Sequence, residues 1–287
     1  MRAASMVRGR ARLYGLTRRP DEVSKLRAHG IVPIVADLDD YATLRRLAVA
    51  PFAVLHCAPP PSEGRDDPRT QKLVAALTRA RIIPQRFVYI STSGVYGDCA
   101  GARVPETRPR RAQTPRGRRR VAAEDRLRDW AGRNGVRLSL LRAPGIYSDA
   151  RLPLDRIKQG TPVLLPSDDV FTNHIHADDL ARAAVAAIFR GSHNRAYNVT
   201  DDAEMKMGSW FDTVADAFHL PRPPRVSWEE AEQRIAPMLL SFMSESRRLT
   251  NARAKRELRM RLAYPTPQSL LAEVAPRELK KQLPLAL

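Results

Sequence analysis

The sequence predicts an α/β fold built on a doubly wound parallel sheet. Short runs of β-branched and aromatic residues alternate with segments of helical periodicity through the first two thirds of the chain. This alternation is typical of parallel strands joined by crossover helices. The chain has 287 residues, 43% of them hydrophobic. It is therefore long enough to bury one large core or to divide into a main and a smaller domain.

The predicted strands and helices follow one another in a regular order. The strand-like runs are RLYGLT, IVPIVADL, FAVLHCA, FVYIS, VRLSLLRAP and AYNVTD. The helical segments are 20–29, 41–48, 71–81, 118–130 and 176–191. The later part is helical and polar, with several prolines. We therefore expect a main domain over residues 1–200 and a small C-terminal α/β lobe with a tail over 201–287, of which the last twenty residues fray.

The composition limits the compartment in which the protein works. Two cysteines, Cys57 and Cys99, cannot form a disulfide framework, and no apolar segment with a small-residue cleavage site marks secretion. No run of about 18 apolar residues suits a membrane span. We expect a cytoplasmic protein without a membrane partner.

Basic residues exceed acidic ones by a wide margin. The formal net charge is +18, which favours an anionic partner such as nucleic acid. Eight arginines lie between Arg103 and Arg120, with Glu106 as the one acid in that segment. No aromatic residue lies among them, so a stacking platform for single strands is missing. The other arginines are scattered along the chain, as a biased genome would place them. Nucleic acid is therefore the least favoured partner.

Three hydroxyl residues follow the predicted strand FVYIS. Ser91, Thr92 and Ser93 lie where this strand leaves the sheet, ahead of Gly94. In open α/β sheets ligands bind at the carboxyl edge, so these residues are candidates for a site. The alternative is that they only satisfy turn amides at a capped strand end.

Seven landmarks in fixed order make the chain resemble a known family. They are LTRRP, ADL, HCAPP, FVYISTSGVYG, LLRAPGIY, TNHIHADDLARA and YNVTDD. Together they resemble the NAD-dependent epimerase/dehydratase family of extended and atypical short-chain dehydrogenase/reductases, over residues 12–265. The resemblance implies a Rossmann-like fold and hydride transfer on a sugar-like alcohol or ketone. It also implies a homodimer that pairs through the helix at 118–130.

The resemblance assigns cofactor contacts to the ends of the strands. Thr17, Arg18 and Arg19 follow the family's second strand, where an arginine meets a 2′-phosphate and so favours NADP, with NAD as the alternative. The arginines equally fit a plain surface turn. The other implied contacts are Asp37, Leu38, Cys57, Ala58, Pro59, Ser91, Arg120, Pro144, Gly145 and Ile146.

The catalytic candidates come from the same strand end. Thr92 falls on the family's catalytic hydroxyl position, and Ser93 lies beside it. Tyr96 is the nearby phenol that would act as an acid, unless it only packs in the turn after the strand. The resemblance implies that His176 and Asp178 tie the sheet to the substrate lobe. No cysteine or carboxylate set completes a metal site around that histidine, so we expect no metal.

One departure from the family concerns proton transfer. The family uses a Tyr-x-x-x-Lys pair on a helix, in which the lysine charge lowers the phenol pKa. Here Arg116 falls on the tyrosine position and Arg120 on the lysine position. Arginine stays protonated and cannot act as a general base at neutral pH.

A second departure concerns the phosphates of the cofactor. The family's first strand leads into a G-x-x-G-x-x-G turn that lets helix amides approach the pyrophosphate. MRAASMVRGRARLYG instead matches the end of the first helix running into the second strand. Roughly 20 residues of the expected βα unit are therefore absent, and we expect a truncated chain. An arginine-rich targeting peptide is the alternative.

Three functions follow from these observations. The leading one is an NAD(P)-binding protein that transfers hydride to or from a small sugar-like substrate held by Thr92. The second is a cofactor-bound sensor or scaffold without catalysis, which fits the loss of the Tyr and Lys pair. The third is nucleic-acid binding by the segment 103–120, whose affinity would fall steeply with salt.

Overall fold

The computed structural model describes residues 1–47, 51–81 and 83–282. Its strands are β1 (Leu13–Thr17), β2 (Ile31–Val35), β3 (Ala53–His56), β4 (Arg86–Thr92), β5 (Arg103–Val104), β6 (Arg137–Ala143), β7 (Gly145–Tyr147), β8 (Val163–Leu164), β9 (Phe171–Thr172), β10 (His174–His176), β11 (Arg195–Asn198), β12 (Met205–Lys206), β13 (Arg225–Val226) and β14 (Arg248–Leu249). Each of the six predicted strand runs overlaps an observed strand.

The helices lie between these strands. They are α1 (Arg2–Val7), α2 (Val23–Ala28), α3 (Pro68–Arg79), α4 (Pro115–Asn134), α5 (Leu154–Lys158), α6 (Ala177–Arg190), α7 (Met207–Ala217), α8 (Trp228–Arg234), α9 (Pro237–Met243), α10 (Ala252–Glu257) and α11 (Pro267–Gln282). The helix predicted over 41–48 is a short 3-10 helix at Thr43–Arg46, and Ala48 lies outside the described residues.

The main sheet has four parallel strands in the order β11, β6, β4, β3. Its central pair runs in register from Arg86 opposite Arg137 to Thr92 opposite Ala143. Each connection between its strands contains a helix, which confirms the predicted crossover arrangement. Because all four strands run the same way, their carboxyl ends meet at one edge.

A second parallel sheet consists of β1 and β2 alone. Within the described residues, neither strand is hydrogen-bonded to the main sheet. Helix α1 precedes β1, which confirms that the first residues form a helix running into a strand. The two sheets still share one hydrophobic core, in which Leu38 and Leu44 after β2 pack with Leu77 of α3 and Phe87 of β4.

Helices cover both faces of the main sheet. On one face, Leu127 and Trp130 of α4 pack with α3 and with Leu138 of β6. On the other, Leu180 and Ala184 of α6 pack with residues of β6, β11 and α10. The helices on both sides explain why six of the seven residues of β6 are buried.

The C-terminal segment is interleaved with earlier parts of the chain. The short strands β12, β13 and β14 pair with β9, β8 and β5. Leu270 and Leu271 of α11 share a core with Trp210 of α7 and Ile157 of α5. The predicted frayed tail is therefore wrong for residues 268–275, because Leu270, Leu271 and Ala275 of α11 are buried. No helix in the described part of the chain is both long and apolar enough to cross a membrane.

Candidate functional site

The carboxyl ends of β4 and β6 border a cavity of about 140 Å³. Its walls are formed by Thr92, Ser93, Gly94, Arg116, Pro144, Gly145, Phe171, Thr172, Asn173, Met207, Phe242, Glu245 and Arg247. Four of the residues predicted from the sequence are among them: Thr92, Ser93, Pro144 and Gly145. The register that sets Thr92 opposite Ala143 brings these two strand ends together.

Thr92 has a capping role as well as a place in the cavity wall. Its Oγ1 accepts a hydrogen bond from the Gly94 amide at 3.2 Å, and so caps the 3-10 turn Ser93–Tyr96. A hydroxyl that accepts one bond still has its own proton to donate. The capped strand end and the candidate site are therefore compatible at this residue.

Ser91 and Tyr96 belong to a buried polar network that does not line the cavity. Ser91 Oγ donates to Glu124 Oε1 at 2.7 Å, and Arg142 Nη2 donates to Glu124 Oε2 at 2.7 Å. Arg142 Nη1 also donates to the Tyr96 hydroxyl at 2.8 Å, which itself donates to Asn198 Oδ1 at 2.7 Å. These five side chains join β4, β6, α4 and β11 beneath the cavity.

The network fixes the ionisation of its members. Burial raises the pKa of Tyr96 to about 12, although Arg142 opposes this. Burial alone would raise the pKa of Glu124. The hydrogen bonds and charge of Arg142, with smaller contributions from Ser91 and Arg110, together hold that pKa below its ordinary value. Glu124 is therefore an anion paired with Arg142, and Tyr96 keeps its proton. The structure favours the packing alternative for Tyr96 and gives Ser91 an inward-facing structural bond.

Arg120 also turns towards the sheet. Its Nη1 donates to the Tyr89 hydroxyl at 2.8 Å and to the Ile90 carbonyl at 2.9 Å. His56 stacks on Tyr89 with ring centroids 5.3 Å apart. Burial, with a smaller contribution from Arg120, lowers the pKa of His56 to about 4. The arginine at the family's lysine position is thus bonded to the strand that carries Thr92.

Arg116, at the family's tyrosine position, lies in the cavity wall. Its guanidinium carbon is 3.5 Å from the centroid of the Phe242 ring. Gly117 allows this first turn of α4 to approach the turn after β4, because a Cβ added there would lie 2.7 Å from the Gly94 carbonyl oxygen. Thr114 caps the helix by accepting the Gly117 amide at 3.3 Å. No local sequence pattern indicates this aromatic partner.

Two charged residues from the C-terminal segment complete the wall. Arg247 Nη1 donates to Glu245 Oε2 at 2.8 Å and to the Gly97 carbonyl at 2.8 Å. Both residues are buried, and Glu245 Oε1 and Arg247 Nε have no hydrogen-bond partner among the described residues. Asn173 is held between the Arg247 carbonyl and the Leu249 amide. Sequence reasoning missed Glu245 and Arg247 because they lie about 150 residues from Thr92.

The residues assigned to the adenine end follow β1 and β2. Thr17 Oγ1 accepts the Arg19 amide at 3.2 Å, and Arg19 forms an ion pair with Glu22. Arg18 is exposed and makes no hydrogen bond or ion pair with the described residues. Of the two arginines, Arg18 is the one available for a phosphate.

The remaining adenine-side and loop residues lie nearby. Asp37 Oδ1 accepts the Asp39 amide at 2.9 Å, and Leu38 is buried in the core next to it. Cys57 and Pro59 are exposed after β3, with Ala58 half-buried between them. Ile146 lies in β7, beyond the cavity wall at Gly145.

The fit to a dinucleotide differs between its parts. The resemblance assigns Pro144 and Gly145 to the nicotinamide, Asp37 to the adenine and Arg18 to a 2′-phosphate, and residues of these types are present at those strand ends. The twelve residues before β1 contain one glycine, Gly9. They therefore do not supply the glycine-rich turn that cradles a pyrophosphate in this class of fold.

His174 and His176 serve as aromatic packing groups. The His176 ring lies against the Tyr264 ring, with centroids 3.8 Å apart and planes tilted by 41°, and its Nδ1 accepts the Asp178 amide at 3.3 Å. His174 lies 4.7 Å from the Trp210 ring. They tie β10 to the C-terminal segment, as the resemblance implies for His176. Within the described ranges, no group of three His, Cys, Asp or Glu side chains is arranged to hold a metal ion.

The arginines of the segment 103–120 do not form one surface. Arg103 pairs with Glu204, and Arg110 pairs with Asp125 and Glu124. Arg119 donates to the Gly64 carbonyl. Since Arg116 and Arg120 also point into the structure, five of the eight arginines are engaged away from a common surface.

Comparison with known proteins identifies the family. Residues 3–200 match the NAD dependent epimerase/dehydratase family, and the chain belongs to it. A solved structure of a functionally unknown conserved protein from Silicibacter pomeroyi is 29% identical, with a TM-score of 0.80 over 96% of this chain and 94% of that one. The structure of RMD from Pseudomonas aeruginosa complexed with NADPH is 18% identical, with a TM-score of 0.71 over 94% and 99% of the two chains. That likeness shows the fold, which confirms the Rossmann-like prediction.

A curated relative matches a shorter stretch. GDP-6-deoxy-D-mannose reductase from Pseudomonas aeruginosa is 29% identical over 192 residues, which cover 58% of this chain and 63% of the reductase. The match therefore spans less than two thirds of the length of that relative.

Proposed function

We propose that this chain binds NADP and takes a sugar-like alcohol or ketone in the cavity at the carboxyl ends of β4 and β6. The observation that carries the proposal is that Thr92 and Ser93 share one cavity with Pro144 and Gly145. The first two supply hydroxyl donors for a substrate oxygen, and the last two form the turn that the family places beside the nicotinamide. When bound, the cofactor would donate a hydride to a ketone in its reduced form or accept one from an alcohol in its oxidised form.

The residues of this chain orient the substrate more than they transfer protons. Thr92 accepts the Gly94 amide and keeps its own proton for a substrate oxygen. Arg116 stays charged, and the Tyr96 phenol is committed to Asn198. In this proposal, water that enters the cavity with the substrate supplies the proton when a ketone is reduced and takes it up when an alcohol is oxidised.

A non-catalytic binding function is the second candidate. Arginines at both positions of the family's Tyr and Lys pair favour it, because neither can act as a general base. For either candidate, we also propose that the protein works in the cytoplasm. We propose that two copies pair through α4 and that a domain boundary lies at residue 200.

The first test is titration of the purified chain with NADPH and with NADH, followed by nicotinamide fluorescence. We expect saturable binding with NADPH preferred. Arg18→Gln should weaken NADPH binding about tenfold and leave NADH unchanged, because a charge-assisted bond to phosphate contributes about 1.5–3 kcal/mol. Arg27→Gln, which removes an exposed arginine from α2, is the control with the same loss of charge.

The outcomes separate the two candidates. Oxidation of bound NADPH by an added sugar ketone would establish the enzyme, and saturable binding without turnover would establish the non-catalytic function. If the folded chain bound neither nucleotide, both would be rejected.

A further inference from the structure

The cavity wall holds an arginine whose charge is not neutralised within the protein. Among the residues that the structure describes, Arg116 makes no hydrogen bond and no ion pair, and its contact is the face of Phe242. It is half-buried rather than free in solvent. A guanidinium carries five donors in a planar fork that matches a carboxylate or phosphate. A guanidinium placed in this way is suited to a ligand anion.

The other charges of the wall favour a single negative charge on the ligand. Arg116, Glu245 and Arg247 are the ionisable residues that line the cavity, so its formal charge is +1. Glu245 is paired with Arg247, which leaves the charge of Arg116 unbalanced. A monoanion would balance this charge. A dianionic phosphate would leave one negative charge unbalanced near the Glu245 carboxylate, which would repel it.

The size of the cavity limits what it can enclose. A volume of about 140 Å³ is close to that of an engineered protein cavity that accepts benzene. It therefore encloses a group of about six non-hydrogen atoms. The acid end of a hydroxy or keto acid has this size, and a sugar nucleotide does not.

Burial strengthens the interaction. Burial lowers the pKa of Arg116, and the nearby Arg247 acts in the same direction while Glu245 opposes them. Arginine remains protonated at neutral pH in spite of this. A charge with part of its hydration removed gains more from an anionic partner than one in bulk water does. The first turn of α4, on which Arg116 lies, adds the positive end of a helix dipole.

We propose that the cavity recognises a small organic carboxylate, with Arg116 binding the carboxylate and the hydroxyls of Thr92 and Ser93 binding a hydroxyl or keto oxygen of the same molecule. This inference rests on the proposed function, since it names the class of substrate for that cavity. It makes Arg116 a specificity residue at the position where the family has its proton donor. The ligand is a hydroxy or keto acid, that is, a sugar-like alcohol or ketone that also carries a carboxylate.

The test compares three ligands of similar length by NMR titration at millimolar concentration: glycerate, glycerol and glycerol 3-phosphate. We expect glycerate to bind more tightly than both others. Arg116→Gln should weaken glycerate binding about tenfold or more, because it removes a charge-assisted bond. Arg116→Lys should retain part of the affinity, since the charge remains and the planar fork is lost.

Arg118→Gln is the matched control. Arg118 lies two residues further along the same helix and is exposed outside the cavity. Its replacement removes the same charge and should leave glycerate binding unchanged. The melting temperature of each variant, measured beside the titration, shows whether the variant is folded.

Several results would overturn the inference. They are equal binding of glycerate and glycerol, equal effects of the two glutamine variants, tighter binding of glycerol 3-phosphate, and no binding of any of the three. The result is independent of the nucleotide titration. Arg116-dependent glycerate binding by a chain that binds no nucleotide would support the ligand class and reject the cofactor. Nucleotide binding without a glycerate preference would support the cofactor and reject the ligand class.

Discussion

The main sheet and the β1–β2 sheet use similar sequence patterns and reach very different degrees of burial. In β6, Leu138, Leu140 and Leu141 are 0% exposed, whereas Leu16 of β1 is 38% exposed. Helices pack on both faces of the main sheet, and β4 and β6 have neighbours on both sides. Strand β1 is bonded on one side, to β2, within the described residues. An apolar strand sequence thus favours burial, and the neighbouring strands and helices decide how much of the strand is buried.

The polar groups differ in the same way. The main sheet contains the buried network of Glu124, Arg142 and Tyr96 beneath the cavity. The β1–β2 region has ion pairs near the surface, such as that of Arg19 with Glu22. Buried pairs are costly to break, while exposed pairs contribute little. The stability that holds the candidate site should therefore come from the main sheet.

The largest effect is expected from breaking the buried ion pair. Arg142→Met removes the main partner of the buried Glu124 carboxylate and leaves it Arg110, at 3.4 Å, as its ion-pair partner. It should lower the free energy of unfolding by about 3–5 kcal/mol. Arg133→Met, which removes an exposed pair with Asp129 on α4, should cost less than about 1 kcal/mol. Chemical denaturation measures both. Similar losses in the two variants would contradict the contrast between buried and exposed charges.

Matched leucine truncations test the contrast between the sheets directly. Leu140→Ala in β6 should cost about 2–5 kcal/mol, because it leaves a cavity in a fully packed core. Leu16→Ala in β1 should cost about 1 kcal/mol or less, since that side chain is already partly in water. Urea denaturation of both variants gives the comparison. Equal losses would mean that β1 is as well packed as β6.

The smallest effect concerns pH and His56 of β3. The pKa of His56 is lowered to about 4 by burial and by Arg120, below an unfolded value near 6.5. A lowered folded pKa means that its contribution to stability is present above about pH 6.5 and is lost as pH falls towards 4. The loss is at most about 3 kcal/mol. The difference in unfolding free energy between the natural chain and His56→Gln, measured from neutral to acid pH, should shrink by that amount. A constant difference would show that His56 is not the group responsible.

Much of the fold could be predicted because its signals are local. The apolar periodicity of FVYIS and VRLSLLRAP identified β4 and β6, and the helix of 118–130 lies within α4. The predictions failed where burial depended on distant partners. The segment 268–282 looks like a polar tail by itself, but Leu270 and Leu271 pack against α7.

The candidate site was predictable in part for a related reason. Thr92 and Ser93 follow a strand and Pro144 follows its neighbour, so the rule that ligands bind at the carboxyl edge placed them together. Ser91 and Tyr96 lie within the same short stretch and point elsewhere. The direction of a side chain after a strand depends on the partner it finds, and the partners here are Glu124 and Asn198.

The sequence by itself determined the family, the order of strands and helices, and the strand end at which the cavity lies. It did so because periodicity and ordered motifs are properties of neighbouring residues. Only the tertiary structure decided that Arg116 faces a cavity with Glu245 and Arg247 in its wall. Those residues meet because β14 pairs with β5, and this pairing brings Glu245 and Arg247 next to the turn that follows β4. A contact between residues more than 100 positions apart depends on such pairing, which no local pattern specifies.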